Sequence, residues 1–295
     1  MIVPPPLRPG DPIAVVAPSS PFDRTLVLRG LGWLGERYRI LYEPSLFERQ
    51  GYLAGSDDRR LAELDSALTG EARAVIAVRG GYGLSRIAHR VDWEAALRVP
   101  RWIVGCSDVT TLHAEAWRRG LASIHGPMVS ALGRGDQRAR ARWIASLEDP
   151  LAPRQWSGLS PLRAGRAAGR LVGGNLASLH ACAAAGRLVI PEGAVVLIED
   201  VNERPYRVDR MLTNLVVGGH LGRACGILVG ELTDCTDADD QVTVQEVLRE
   251  RLTTLAVPVL AGFPAGHGKR NDPVVLGSHA ELDAHAGTCS LSAPS

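Results

Sequence analysis

Lysine is almost missing from this chain of 295 residues: Lys269 is the only one, and arginine supplies the other basic side chains. The 33 basic residues are balanced by 32 acidic ones. A net charge of +1 lacks the positive excess that is typical of proteins that bind nucleic acids or anionic membranes. No apolar run approaches the ~18–20 residues that a membrane-spanning helix needs. Prolines 4–6 stand where a signal peptide would carry its apolar region, so we expect a cytoplasmic protein.

Paired cysteines are also missing. The five cysteines are odd in number and never occur as Cys-x-x-Cys, which argues against both a disulfide framework and a zinc site. Together with a 45% apolar composition, this predicts a reduced, globular protein without a zinc site, and we expect no cofactor.

Short apolar runs alternate with helical patterns in the first half of the chain. Ile13–Ala17, Ala74–Val78 and Trp102–Val104 are typical of buried strands, and each runs into a turn of small residues. Between them, Ser56 is placed to cap a helix that Gly70 would end. This rhythm predicts a parallel sheet with helices on both faces, whose sites form beyond the carboxyl ends of the strands.

The chain length suggests two domains. Residues 149–166 are rich in Pro, Arg and Gly without periodicity, so we interpret them as a linker between an α/β domain (1–148) and a second domain (167–295). In the second domain, Val195–Ile198, Gly226–Val229 and Val257–Ala261 are predicted strands, and the last stretch indicates further short strands. The second domain is therefore predicted to be α+β with a β-rich end.

A glycine-rich loop, Arg79-Gly80-Gly81-Tyr82-Gly83, follows the strand Ala74–Val78. Its glycines allow the backbone to approach a ligand closely and to point N–H groups at an anion. The loop matches neither the Walker pattern nor Gly-x-Gly-x-x-Gly, so an oxyanion hole, a phosphate cradle and a tight structural turn all stay open.

Ser107 lies in Gly105-Cys106-Ser107-Asp108, again between a strand and a helix. This resembles the nucleophile elbow, although Val109 replaces the second glycine of Gly-x-Ser-x-Gly. Ser107 as a helix N-cap is the structural alternative. Cys106 is a competing nucleophile, but its position in the strand predicts that it faces the core.

A nucleophilic serine needs a base and an acid that orients the base. Of eight histidines, His267 lies in a glycine-flanked loop after the strand Val257–Ala261, with His125 as second choice and His113 on the helix behind Ser107. Glu199 directly follows a buried strand, where a carboxylate would be held rigidly.

These segments together resemble the LD-carboxypeptidase family, which includes the microcin C immunity-type peptidases. Six blocks occur in the family's order, from about residue 10 to residue 280. The blocks are Arg79–Gly83; Gly105–Asp108 with Thr110 and His113; His125–Met128; Gly173–Leu176; Glu199-Asp200-x-x-Glu203-x-Pro205-Tyr206-x-x-Asp209-Arg210; and Gly262-Phe263-Pro264 with Gly266-His267-Gly268.

The resemblance implies a Ser-Glu-His triad of Ser107, Glu199 and His267, with an oxyanion hole from the backbone N–H groups of Gly81 and Asp108. It also implies a flavodoxin-like N-terminal domain that carries the serine and a smaller β-rich domain that carries the other two residues, with the site in the cleft between them. The resemblance further implies a homodimer that binds no metal. Other motif positions are candidate substrate contacts, and arginines suit the clamp for a substrate carboxylate. These candidates are Arg79, Tyr82, His125, Asn175 and Arg270, with Arg204 and Arg207 as further possible clamps.

The function that the resemblance implies is hydrolysis of the amide between an L-centre (L-Lys or meso-diaminopimelate) and a terminal D-amino acid. A murein tetrapeptide would thereby become a tripeptide during cell-wall recycling. The alternative is the microcin-type hydrolysis of aminoacyl-nucleotide amides. Only 92 positions separate Ser107 from Glu199, a compact spacing that favours the murein enzymes. A third hypothesis is a non-catalytic small-molecule binding protein, since two α/β domains with a glycine-rich loop also suit that role.

Overall fold

A computed structural model of the chain describes residues 1–236 and 241–294. They divide into two compact units. Unit 1 contains Met1–Pro150 and Asp272–Val275, and unit 2 contains Leu151–Asn271 and Leu276–Ser295.

Unit 1 alternates strands with helices, as the sequence predicts. Its strands are β1 (Pro12–Val16), β2 (Arg39–Leu41), β3 (Ala74–Ala77), β4 (Trp102–Gly105) and β5 (Ser123–His125). Its helices are α1 (Arg24–Gly35), α2 (Asp57–Thr69), α3 (Leu84–Ile87), α4 (Trp93–Arg98), α5 (Thr110–Arg118), α6 (Val129–Leu132) and α7 (Gln137–Glu148), with short 3-10 helices at Pro44–Phe47, Ala88–Arg90 and Ser107–Val109.

The strand order β2-β1-β3-β4-β5 is the flavodoxin-like order, and each of these neighbouring pairs is parallel. Successive side chains of a strand point to opposite faces, so each strand contributes to two apolar cores. In β1, Ile13 and Val15 enter one core, and Ala14 and Val16 enter the other. The predicted helices on both faces of a parallel sheet are therefore confirmed.

Local capping explains why α2 begins where it does. The Ser56 side chain accepts a hydrogen bond from the Arg59 N–H, and Asp57 and Asp58 occupy the first turn, where acidic groups favour the helix dipole. The helix ends at Gly70, as predicted. This helix supplies Arg60, a fully buried arginine that lies beneath the glycine-rich loop.

Unit 2 is built on a mixed sheet. Its strands are β6 (Arg154–Trp156), β7 (Ser160–Arg163), β8 (Arg166–Asn175), β9 (Ala194–Val201), β10 (Ala224–Thr233) and β11 (Val259–Ala261), followed after β12 (Val274–Leu276) by β13 (His279–Asp283) and β14 (Thr288–Ser292). Its helices are α8 (Leu176–Ala184), α9 (Pro205–Val217) and α10 (Val244–Leu252).

Among the described residues of unit 2, the strand order is β6-β14-β13-β8-β9-β10-β11-β7. The middle strands β8 to β11 are parallel, while β13, β14, β6 and β7 pair antiparallel with their neighbours. The predicted α+β character with a β-rich end is thus confirmed. Strand β9 carries the candidate site residue Glu199 and its neighbour Asp200 near its carboxyl end.

Two features of the organisation differ from the sequence prediction. Residues 149–166 are not a bare linker, because they contain β6 and β7, which are short edge strands of the unit 2 sheet. These strands are polar and largely exposed, so they lack the alternation that reveals a strand in a sequence. In addition, the buried strand β12 lies beside β5 in the first sheet, so the chain returns to unit 1 near its end.

Candidate active site

Ser107 occupies a strained turn at the carboxyl end of β4. Its φ is +61°, a left-handed conformation that residues with a Cβ seldom adopt and that is typical of functional sites. A Cβ at Gly105 would lie 2.7 Å from Val109 Cγ2, so Gly105 is the residue that makes this turn possible. The turn is an elbow even though Val109 replaces the second glycine of the usual pattern.

The helix-cap alternative for Ser107 does not fit, and Cys106 lies where the sequence predicts it. Cys106, not Ser107, holds the N-cap position of the 3-10 helix Ser107–Val109, and Val109 precedes α5, so Ser107 is not a helix cap. Cys106 is buried in the apolar core, as predicted, while Ser107 is half-buried. His113 lies on α5 behind the turn, and its Nε2 is 2.9 Å from the Gly105 carbonyl oxygen at the end of β4.

The glycine-rich loop after β3 lies directly against this serine. A Cβ at Gly80 would be 2.7 Å from Ser107 Cβ and 3.3 Å from the Asp108 backbone nitrogen, so a larger side chain does not fit there. Gly81 has φ of +105° and Gly83 has φ of +142°, conformations that favour glycine. The structure therefore brings the predicted oxyanion-hole loop and the predicted nucleophile together.

Sequence reasoning missed the side chains that hold this loop. The Asp108 Oδ2 atom accepts hydrogen bonds from Ser19 Oγ (2.7 Å) and from the Leu84 N–H (2.9 Å). Burial raises the pKa of Asp108 to about 6, although these two hydrogen bonds and the charge of Arg60 act in the opposite direction. The one sequence signal was that Ser19 and Ser20 follow the strand β1, at the same edge of the sheet as Ser107.

Unit 2 brings together the predicted acid and base. Glu199 is fully buried at the end of β9, and its Oε2 atom lies 2.8 Å from Nδ1 of His267, in the loop after β11. Glycines allow this approach: a Cβ at Gly266 would be 3.1 Å from Glu199 Oε2, and a Cβ at Gly230 would be 3.0 Å from Glu199 Cβ. Since a carboxylate only accepts hydrogen bonds, Nδ1 carries the proton and Nε2 carries the lone pair of the neutral ring.

Opposing effects act on the pKa of His267. Burial disfavours the protonated ring, but the hydrogen bond and charge of Glu199, together with the charge of Asp200, outweigh it and raise the pKa of His267. The Asp200 carboxylate accepts hydrogen bonds from Asn175 Nδ2 (2.8 Å) and the Ala177 N–H (2.9 Å). Burial raises the pKa of Asp200 to about 6 in spite of such hydrogen bonds.

The five predicted substrate contacts have different surroundings. Arg79, Tyr82 and Arg270 are exposed. His125 is fully buried at the end of β5, which does not fit a substrate contact. Asn175 caps α8 by accepting from the Ser178 N–H and also donates to Asp200, so its amide already has a structural role.

Residues 1–236 and 241–294 contain no group of three or more His, Cys, Asp or Glu side chains that is arranged to hold a metal ion. Over the same ranges, the helices are too short or too polar to cross a membrane.

Comparison with known proteins identifies the family. Residues 13–126 match the N-terminal domain of LD-carboxypeptidases, and residues 168–282 match the C-terminal domain. A putative carboxypeptidase of Synechocystis sp. is 36% identical, covering 97% of this chain and 96% of the relative. The murein tetrapeptide carboxypeptidase of Pseudomonas aeruginosa is 31% identical, covering 92% and 93%.

Solved structures agree with this assignment. The crystal structure of muramoyltetrapeptide carboxypeptidase from Oxalobacter formigenes matches with a TM-score of 0.86 and 27% identity, over 96% of this chain and 100% of that one. The microcin C7 self-immunity protein in complex with aspartyl sulfamoyl adenosine matches with a TM-score of 0.89 and 21% identity, covering 99% and 98%, and at that identity shows a shared fold. The chain thus belongs to the LD-carboxypeptidase family, a family of peptidases, as its motifs had indicated.

Proposed function

We propose that the protein is a serine carboxypeptidase that releases the terminal D-amino acid from a murein tetrapeptide. The bond cleaved is the amide between an L-centre, L-Lys or meso-diaminopimelate, and that D-residue. The observation that carries the proposal is the hydrogen bond of 2.8 Å between buried Glu199 and His267, because an acid that fixes an imidazole is the core of a serine hydrolase. The named activities of the Pseudomonas aeruginosa and Oxalobacter formigenes relatives support the choice of substrate.

The proposed mechanism uses three side chains and two backbone N–H groups. Ser107 Oγ attacks the scissile carbonyl carbon while His267 Nε2 takes the hydroxyl proton, and Glu199 stabilises the resulting imidazolium. The N–H groups of Gly81 and Asp108 bind the oxyanion of the tetrahedral intermediate. His267 then protonates the leaving amine, which departs as the free D-amino acid. Water hydrolyses the acyl-enzyme in the reverse sequence of proton transfers.

Substrate binding requires a cation for the free carboxylate of the terminal residue. Arg79 and Arg270 are exposed arginines beside the two groups of site residues, and a guanidinium forms paired hydrogen bonds with a carboxylate. The exposed ring of Tyr82, whose centroid lies 6.0 Å from that of Tyr52, offers an apolar surface two residues beyond Gly80. A homodimer located in the cytoplasm completes the proposal, on the strength of the resemblance to the family.

The assay that tests the proposal offers two substrates to the same enzyme. Incubation with a murein tetrapeptide is expected to release D-alanine, measured by mass spectrometry or by a coupled D-amino-acid oxidase. An aminoacyl-sulfamoyl adenylate is expected to remain intact. Turnover of the adenylate alone would instead place the protein with the microcin-type enzymes. A folded protein that binds either compound but cleaves neither would show the non-catalytic alternative to be right.

The pH profile should report the state of His267. A general base acts only when its ring is neutral, and Glu199 and Asp200 raise the pKa of His267 against the effect of burial. We therefore expect kcat/KM for D-alanine release to be low in acid and to rise through an apparent pKa above about 6.5, the ordinary value for histidine. Initial rates between pH 5 and 9 measure this. A profile that is flat across that range would exclude His267 as the base.

A further inference from the structure

One carboxylate oxygen joins the loops that follow three neighbouring strands of unit 1. The strands β1, β3 and β4 are adjacent in the sheet. Ser19 follows β1, Leu84 closes the glycine-rich loop after β3, and Asp108 follows β4. Because the Asp108 Oδ2 atom accepts from both Ser19 Oγ (2.7 Å) and the Leu84 N–H (2.9 Å), it fixes the far end of the glycine-rich loop.

Ser20 holds the same loop nearer its start. Its backbone N–H donates to the Gly80 carbonyl oxygen (3.3 Å), and its Oγ accepts from the Tyr82 N–H (3.1 Å). The packing is close, since a Cβ at Gly81 would lie 2.6 Å from Ser20 Cβ. Ser20 and Asp108 therefore hold the glycine-rich loop by hydrogen bonds at Gly80, at Tyr82 and at Leu84, the residue that follows it.

The opposite side of this loop contacts the candidate nucleophile. A Cβ at Gly80 would be 2.9 Å from Ser107 Oγ, and the peptide group that starts at Gly80 carries the Gly81 N–H. Oxyanion donors act only when they lie about 2.7–3.1 Å from the developing charge. A displacement of the loop by a fraction of an ångström would therefore change catalysis without disturbing the hydrophobic cores.

Stability alone does not account for a carboxylate at this position. Asp108 is 6% exposed, and a buried carboxylate is unfavourable unless it is compensated. The nearby charge that compensates it belongs to Arg60 of α2, which is itself fully buried and donates to the Pro18 carbonyl oxygen (2.6 Å) and to Asp57. A neutral side chain of the same size would cost less to bury.

We propose that Ser19, Ser20 and the Asp108 carboxylate form a loop clamp that positions the Gly81 N–H in the oxyanion hole. The clamp rests on the proposed function, because it needs an oxyanion to stabilise. Its side chains are positioning residues and touch no substrate; the contribution of Asp108 to the reacting atoms comes from its backbone N–H alone.

The test is Asp108→Asn, which keeps the side-chain shape and the backbone N–H but removes the charge, and Ser19→Ala, which removes one hydrogen bond. We expect kcat for D-alanine release to fall about 10- to 100-fold in Asp108→Asn, with KM within about twofold of wild type, since donor geometry matters in the transition state. Ser19→Ala should show a smaller loss of kcat. Both changes weaken the same hydrogen bond, from Ser19 Oγ to Asp108 Oδ2. The fold-loss of kcat in the double variant should therefore be smaller than the product of the two single fold-losses.

Ser85→Ala is the matched control, because Ser85 is an exposed serine on α3, next to the loop but outside the clamp. It should keep wild-type kcat and should combine additively with Asp108→Asn. Normal kcat in a folded Asp108→Asn enzyme would overturn the clamp while leaving the proposed function intact, whereas an inactive wild type would overturn the proposed function. If Asp108→Asn does not fold, a folded Ser19→Ala decides: reduced kcat supports the clamp, and unchanged kcat overturns it.

The acid limb of the pH profile gives a readout that a merely structural role would not change. The groups that face the Asp108 carboxylate are Arg60 from α2, the Ser19 hydroxyl after β1 and the Leu84 N–H at the start of α3, so Arg60 is the charged group among them. Burial raises the pKa of Asp108 to about 6. Below that pH both Asp108 and His267 become protonated in the wild type, so a plot of log(kcat/KM) against pH should have a slope approaching two. In Asp108→Asn the slope should be one, from His267 alone. An unchanged slope would contradict the clamp.

Discussion

Ser107→Ala is expected to lower kcat for D-alanine release by about 10⁵- to 10⁶-fold, the scale on which removing the nucleophile of a serine hydrolase acts. Alanine keeps the Cβ, so the strain of a φ near +61° is the same in both proteins and the fold should not change. Because the half-buried hydroxyl is the group removed, substrate binding should survive. The measurement is D-alanine release at high enzyme concentration, beside a binding titration with the tetrapeptide.

Cys106→Ala is the neighbouring control. Cys106 is buried in the apolar core and should be dispensable for the chemistry, so this variant should retain kcat while losing some stability to the small cavity created. The reverse pattern, an active Ser107→Ala and an inactive but folded Cys106→Ala, would assign the nucleophile to the thiol. Activity retained in both variants would show that neither Ser107 nor Cys106 is the nucleophile.

The sequence predicted the strands and helices of unit 1 where a single pattern of apolar residues dominated a segment. In β1 and β3, Ile13–Val16 and Ala74–Ala77 are uninterrupted apolar runs that end in small residues, and both are buried parallel strands. The helix α2 carried its own start signal in Ser56, whose side chain caps it. Such elements are specified by local chemistry, which a single sequence contains.

Elements specified by distant partners could not be predicted. The edge strands Arg154–Trp156 and Ser160–Arg163 exist because each pairs with a strand more than 90 positions further along the chain. Likewise, Val274–Leu276 has the apolar character of a buried strand, but no local signal states which sheet it joins. The paired strands within the predicted linker 149–166, and the place of Val274–Leu276 in the first sheet, were for this reason not foreseen.

The candidate site also contains residues that local patterns predict and residues whose contacts depend on distant parts of the chain. Glu199 and His267 were identified because each follows a predicted strand, and the structure joins them by a hydrogen bond. The hydrogen bond between Ser19 and Asp108 spans 89 positions. Both residue types are common in turns, so no sequence pattern predicted this contact. His125, predicted as a substrate contact, is fully buried, and a motif position does not reveal burial. Motifs thus pointed to candidate reactive groups, while the side chains that hold the loop around them left no sequence pattern.

Glu199→Gln is expected to lower kcat about 10³- to 10⁴-fold, similar to the loss when the acid of a triad becomes an amide. The substitution keeps the size of a fully buried side chain but removes the charge that stabilises the imidazolium. A glutamine amide can also donate to Nδ1, which would leave the proton on Nε2, where it blocks base catalysis. The measurement is kcat for D-alanine release in a variant whose thermal unfolding matches that of the wild type.

The same substitution should move the acid limb of the pH profile. In the wild type, burial lowers the pKa of His267 and Glu199 raises it, so removing the Glu199 charge leaves burial opposed mainly by Asp200. The pKa of His267 should then fall, and the residual activity should persist to lower pH than in the wild type. Glu192→Gln, at an exposed carboxylate of unit 2, is the matched control and should change neither kcat nor the limb. If Glu199→Gln keeps kcat within about threefold and leaves the limb in place, Glu199 does not orient the base, and the triad must draw its acid from elsewhere.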